Sequence, residues 1–168
     1  EVLPRFEAVA ARNTLVMMQV PRMNERQKEQ FLNVFNVANP ETVVGFAVMG
    51  GIFGEGIDLV GERLVGAIVV GVGLPQIGLE RDLIKGYYDD HENAGFAYAY
   101  TYPGMNRVLQ AAGRVIRSEA DRGLLLLIDK RFSREDYVEL YLPSWGTPKR
   151  TRNVEEIGEA VDVFWESP

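Results

Sequence analysis

Two stretches of the chain carry residue types and spacings that could do chemistry. The first is Met49-Gly50-Gly51-Ile52-Phe53-Gly54-Glu55-Gly56-Ile57-Asp58-Leu59. It follows an apolar run directly and holds four glycines and two acids. Glycine lets a backbone approach a ligand closely and adopt positive φ. An aspartate can accept hydrogen bonds from a ribose hydroxyl, and a glutamate can orient water or a neighbouring arginine. The spacing fits neither GxxxxGK[ST] nor a good GxGxxG. A tight turn with solvent-facing acids explains the composition as well as a binding loop does.

The second stretch is Pro103 to Gly123, PGMNRVLQAAGRVIRSEADRG. On a helix, Gln110, Arg114 and Arg117 stand at i, i+4 and i+7 and share one face, which Asn106 and Arg107 extend. Val108, Leu109, Ala111, Ala112, Val115 and Ile116 fall largely on the other side. Two arginines and a glutamine make a row of donors suited to phosphate oxygens. A merely solvated face would interleave acids, and none stands between Arg107 and Arg117. Gly113 inside such a helix costs about 1 kcal/mol relative to alanine, which a close-packing requirement would explain.

Other candidates are weaker. His91 is the single histidine, between Asp90 and Glu92, and reads as a surface residue. Asp89 and Asp90 read as a solvated helix end rather than a cation site. Tyr87, Tyr88, Phe96, Tyr98, Tyr100 and Tyr102 could stack on bases or pack a core, and packing is favoured. Trp145 and Trp165 read as packing residues of the closing region.

These residues need elements to hold them. The chain of 168 residues is 46% apolar and 25% charged, which suits one folded domain and excludes a disordered or fibrous chain. No apolar run approaches the roughly 20 residues of a membrane span. No cysteine is present, so the chain has no disulfide and no thiolate metal site. No basic-then-apolar leader is in view, and the expectation is a cytoplasmic protein. The chain opens at Glu1, as a processed or excised piece would. Net charge is −6, yet Pro103 to Arg152 alone holds 10 Lys and Arg against 6 Asp and Glu. Such asymmetry can make one face attractive to phosphates, although a chance clump of surface arginines gives the same count.

The periodicity predicts strands at Thr14–Val20, Thr42–Met49, Leu64–Val72 and Gly123–Asp129. Helices are predicted at Glu1–Ala11, at Asn24–Asn36 with Asn24 as N-cap and Gln27 at the capping-box position, and at Ile77–Glu92. Pro103 is predicted to open the next helix, running to about Ser118. Arg131–Leu140 and Val154–Trp165 read as closing helices, and Leu142–Pro148 as the turn into the last. Alternating buried strands and helices imply an α/β fold with a mostly parallel sheet.

In order along the chain, GIFGEGIDL, IVVGVGLPQ, YTYPGMNRVLQAAGRVIRSEADRG and LLLLIDKRF resemble the second motor domain of DinG-type helicases, in the XPD-like branch of superfamily 2. The resemblance runs from about Thr14 to Trp145. It implies a RecA-like three-layer α/β/α domain and ATP hydrolysis coupled to 5′-to-3′ movement on single-stranded DNA, with DNA repair as the pathway. Gly51 to Leu59 resembles motif V: Asp58 would face the ribose or cleft, and Glu55 and Gly56 would shape the loop. Gln110 to Arg117 resembles motif VI, with Gln110 at the nucleotide and Arg114 and Arg117 as arginine fingers. Phe53 and Arg63, flanking the motif V loop, are the expected DNA contacts.

The departures are equally informative. The chain has no phosphate-gripping GxxxxGK[ST], no DEAH-type acidic box for Mg²⁺ and none of the four cysteines of the branch's iron–sulphur cluster. Gly54 stands where a serine is common. The strand that opens the domain in that family is expected to be missing here. The chain therefore reads as a fragment, 1–168, of a longer helicase. ATP and Mg²⁺ would be held mainly by an N-terminal RecA-like domain, the cluster if present would lie there too, and no cofactor belongs to this fragment. Its partners would be that domain and single-stranded DNA, with no membrane involved, and alone it is expected to be inactive. The alternative is a non-catalytic protein-docking module on a RecA-like fold, its arginine stripe meeting an acidic partner. A stand-alone nucleotide-binding domain is a further rival, and tight nucleotide binding by the isolated chain would distinguish it.

Overall fold

The computed structural model describes residues 5–6, 10–53, 59, 61–116 and 121–166. Most of the helix expected at Glu1–Ala11 lies outside them. The chain divides into two compact units, 1–65 with 110–123, and 66–109 with 124–168.

The first unit is built on a parallel pair, β1 (Thr14–Met18) and β2 (Thr42–Phe46), with Thr14 opposite Thr42 and Met18 opposite Phe46. Beyond the ladder, the Gln19 N–H donates to the Phe46 carbonyl at 2.8 Å. A parallel pair needs a crossover, and α1 (Glu25–Asn33) supplies it. Its start is the expected capping box. The Asn24 side chain accepts from the Gln27 N–H, and the Gln27 side chain accepts from the Asn24 N–H, both at 2.9 Å.

The core of this unit is Phe31, Phe35, Phe53 and Leu59, with Met17, Met23, Leu32, Val34, Val43 and Leu64 packed around it. Phe31 stacks on Phe53 at 4.3 Å between centroids and leans on Phe35 at 5.8 Å. Those rings leave no room at β2. A Cβ on Gly45 would stand 2.7 Å from Phe35 Cζ and 3.0 Å from Phe31 Cζ.

The second unit carries another parallel pair, β3 (Gly66–Val70) and β4 (Leu124–Ile128), with Gly66 opposite Leu124 and Val70 opposite Ile128. The described residues thus form two two-stranded parallel sheets, each strand within the span that the apolar pattern predicts. Between β3 and β4 run α2 (Leu79–Glu92) and α3 (Tyr102–Ala112). Asn93 ends α2 in the left-handed conformation, φ 51°, and its N–H donates to the Tyr88 carbonyl. Val72, Ala99, Tyr100, Met105, Val108, Phe132 and Tyr137 are buried.

Three expectations fail here, each for a local reason. Pro103 does not open a helix. Helical backbone is already running through Ala97–Thr101, which form a π-turn, and the Tyr102 N–H reaches back to the Ala97 carbonyl. Proline lacks the N–H and its ring crowds the carbonyl four residues back, so a wider turn ahead of it relieves the conflict. The helix does not reach Ser118. It stops at Ala112, next to Gly113, a poor helix former. Arg131–Leu140 is not one helix. A 3₁₀ turn at Lys130–Ser133 is separated from α4 (Glu135–Val138) by Arg134 in extended conformation, φ −83° and ψ 145°. The last helix, α5 (Val154–Glu166), stands where expected.

Candidate nucleotide and nucleic-acid site

The first constellation begins at the carboxyl end of β2, where ligands bind in parallel α/β sheets. Gly50 has φ 73°, and the Gly51 N–H closes a turn onto the Val48 carbonyl at 2.9 Å. Gln19, just past β1, accepts from the Val48 N–H at 2.9 Å. A Cβ on Gly51 would meet the Val48 carbonyl oxygen at 2.9 Å and Gln19 Nε2 at 3.0 Å, so glycine is required. Gln19 is a tether that the sequence reading missed. A polar residue closing an apolar strand was its only signal.

Glu55, Gly56 and Asp58, expected at the nucleotide, lie outside the described residues, as does Gly54. Phe53 is described, and its side chain is not a surface group. It is 6% exposed and stacked on Phe31. The expected contact of its ring with DNA is corrected to a core role, because the rings of α1 bury it. Arg63 sits in a 3₁₀ turn, Gly61–Arg63, half-buried. Its Nε–H donates to the Phe35 carbonyl at 2.7 Å, tying the turn to the end of α1.

The second constellation is only partly one helix face. Gln110 is exposed in the last turn of α3. Arg114 is half-buried in the turn that follows. There the Arg114 N–H donates to the Ala111 carbonyl at 3.2 Å and the Val115 N–H to the Ala112 carbonyl at 3.0 Å. These are three-residue steps, tighter than an α-helix, so the i, i+4, i+7 geometry does not persist past Ala112. Arg117 lies outside the described residues. Asn106 is exposed, whereas Arg107 donates from Nη1 to the Gly73 carbonyl at 2.9 Å and braces the loop after β3. Gly104 lets α3 lie close on that loop: a Cβ there would stand 2.9 Å from Leu74 Cδ2 and 3.1 Å from the Val72 carbonyl oxygen. Of the expected apolar side, Val108, Ala112 and Val115 are buried, while Ile116 is exposed.

At the carboxyl end of β4, Asp129 caps the Lys130–Ser133 turn by accepting from the Arg131 N–H at 2.9 Å. The Arg131 guanidinium returns to the same carboxylate through Nε and Nη2. Those charged hydrogen bonds hold the Asp129 carboxyl at about 2, below its ordinary 3.8, and raise Arg131. The pair was missed as a site. Its signal is an aspartate closing a buried strand with an arginine two residues on.

His91 is exposed, its Nδ1 2.7 Å from the Tyr87 carbonyl. Asp89 is occupied by Lys85 and by the Gly95 N–H, and the Lys85 hydrogen bond lowers its pKa. Among the described residues no group of three or more His, Cys, Asp or Glu could hold a metal ion. The aromatic segment is divided. Tyr100 is buried, Tyr88 and Tyr98 stack at 3.7 Å, and Tyr87 and Phe96 are exposed. Trp145 packs on Tyr141 at 5.3 Å, whereas Trp165 is exposed.

Residues 3–149 match the family model of the helicase C-terminal domain. Among curated proteins, the chain is 37% identical over 105 residues to the general transcription and DNA repair factor IIH helicase subunit XPD of Arabidopsis thaliana. That alignment covers 61% of this chain and 14% of the relative. It is 29% identical over 108 residues to the ATP-dependent DNA helicase YoaA of Haemophilus influenzae, covering 62% of this chain and 17% of that protein. Among solved structures, apo XPD superposes with a TM-score of 0.60 at 18% identity, over 83% of this chain and 28% of that one. A second XPD helicase structure gives 0.58 at 19% identity, over 89% and 30%. The fold is therefore RecA-like, and the chain spans a small part of the curated relatives it matches. It belongs to the helicase C-terminal domain family, in the XPD-like branch of superfamily 2.

Proposed function

We propose that the chain is the second motor domain of an ATP-dependent helicase that moves 5′ to 3′ on single-stranded DNA. The observation that carries the reading is the glutamine–glycine–arginine run within the matched span. Gln110 stands exposed at the end of α3, and the chain then turns tightly at Gly113 and Arg114. A tight turn is a rigid support for an arginine aimed at phosphate. In this reading Gln110 contacts the nucleotide, and Arg114 and Arg117 are the fingers that meet charge developing on the γ-phosphate. Such a finger is worth about 10³ to 10⁵ in rate. Glu55 and Gly56 would shape the motif V loop, and Asp58 would face the ribose or the cleft.

ATP and Mg²⁺ would be held mainly by another RecA-like domain of the longer protein. This chain has no phosphate loop and no cysteine for an iron–sulphur cluster. Its own share is to orient and neutralise phosphate and to carry part of the single-strand track. With Phe53 in the core, strand contacts fall to the backbone of the motif V loop and to Arg63.

The test is single-strand-stimulated ATP hydrolysis by the native-length protein with Arg117→Ala. Loss of turnover with nucleotide still bound is expected. Unchanged turnover would remove Arg117 from the reaction and favour the docking reading.

A further inference from the structure

Helix α2 carries an apolar face that is exposed among the described residues. Leu79, Leu83 and Tyr87 are 76%, 66% and 58% exposed, and Ile77, just before the helix, is 85% exposed. The three helical residues recur every fourth position and so line one side. Asp90 falls among them, with Glu80 and Asp82 at the borders, all three exposed. The cations are on the opposite side. Arg81 and Lys85 are half-buried, and they pair with Glu80 and Asp89.

Gly86 adds a second, independent observation. It sits in the middle of α2 on the same side as Leu79 and Leu83. A mid-helix glycine is less favourable than alanine, so it needs a reason. Nothing among the described residues supplies one. A Cβ built there meets no atom within 4 Å, and its φ is not positive. By contrast, a Cβ on Gly95 would strike the Lys85 carbonyl oxygen. A notch flanked by Leu83 and Tyr87, with no internal purpose, suits the close approach of another backbone.

We propose that the outer face of α2 docks a basic amphipathic helix of a partner protein. Leu79, Leu83 and Tyr87 take its apolar side chains, the partner backbone crosses at Gly86, and Asp82 and Asp90 meet its lysines or arginines. Apolar residues one turn apart on one exposed face are what the packing of a second helix against α2 requires. The carboxylates decide the chemistry. They repel nucleic acid and anionic lipid surfaces, and they favour a cationic peptide over an acidic one.

The probe is a fluorescent 18-residue Lys/Leu amphipathic helix, with a Glu/Leu counterpart of the same pattern, titrated against this 168-residue chain by anisotropy. Binding of the Lys/Leu helix is expected, weakened at least tenfold by Leu83→Asp and by Asp82→Asn with Asp90→Asn, and absent for the Glu/Leu helix. Gly86→Ala separates recognition from folding. It should raise the melting temperature of the free chain yet weaken peptide binding. No binding of the Lys/Leu helix, equal binding of both helices, or undiminished binding by Leu83→Asp and Gly86→Ala overturns the proposal. So does binding by this chain that vanishes in the native-length protein, which would mean that the longer chain itself covers the face.

Discussion

Asp129 and Arg131 form a closed pair at the end of β4: Arg131 Nε lies 2.9 Å from Asp129 Oδ1, and Nη2 lies 2.7 Å from Oδ2. The same carboxylate caps the turn that follows. One ionised side chain thus satisfies a backbone N–H and orients a guanidinium, so both depend on its remaining charged.

The pair predicts an acid-sensitive step in stability. The folded-state pKa of Asp129 is depressed to about 2 from 3.8. Its contribution is complete above about pH 4 and is lost as pH falls toward about 2. The expected size is about 1–2 kcal/mol. Urea midpoints measured across that window should fall for the native chain and stay flatter for Arg131→Met. Equal slopes would show that the pair adds nothing.

Burial of Phe53 predicts that its substitution acts on folding rather than on DNA. Phe53→Ala should cost about 3–5 kcal/mol by leaving a cavity against Phe31. Phe53→Leu, which retains most of the apolar volume, should remain folded at neutral pH. Its single-strand affinity, measured on folded protein, should equal that of the parent sequence. A clear loss of affinity in that variant would return the side chain to the nucleic-acid surface.

Gly86 and Gly95 should respond oppositely to alanine. At Gly86 the added methyl meets open space, and stability should rise by up to about 1 kcal/mol. At Gly95 it meets the Lys85 carbonyl oxygen and the Asp89 side chain. Relief requires moving the end of α2, at a cost of about 2–4 kcal/mol. Thermal melts of the two variants side by side decide the matter.

Binding of single strands through phosphate contacts predicts steep salt dependence. Affinity should fall as salt rises from about 50 to 200 mM, with a log–log slope near the number of phosphates neutralised. A flat profile would point instead to apolar or base contacts. Arg63→Ala should lower stability by about 1 kcal/mol, since its Nε–H then no longer satisfies the Phe35 carbonyl.

Local pattern alone placed the four strands, α1 with its capping box, α2 and α5. Helix caps depend on neighbours a few residues away, and the Asn24–Gln27 exchange is complete within one turn; strand burial does not, and Ile68 and Val70 of β3, read as buried, are exposed. The family, too, was legible from the order of its motifs. What stayed hidden depends on partners far along the chain. Phe53 sits beside glycines and reads as a loop residue until Phe31 and Phe35 arrive from α1. Arg63 reads as a surface cation until the Phe35 carbonyl, 28 residues earlier, accepts its Nε–H. Arg107 seemed part of a donor stripe, but its guanidinium serves Gly73, 34 residues back. The end of the arginine helix was misread for a different reason. Periodicity continues through Arg117 in the sequence, yet a helix needs backbone hydrogen bonds as well as a matching face. At Gly113 the tighter turn replaces them. Side-chain spacing states which residues could share a face, and only the folded backbone decides which do.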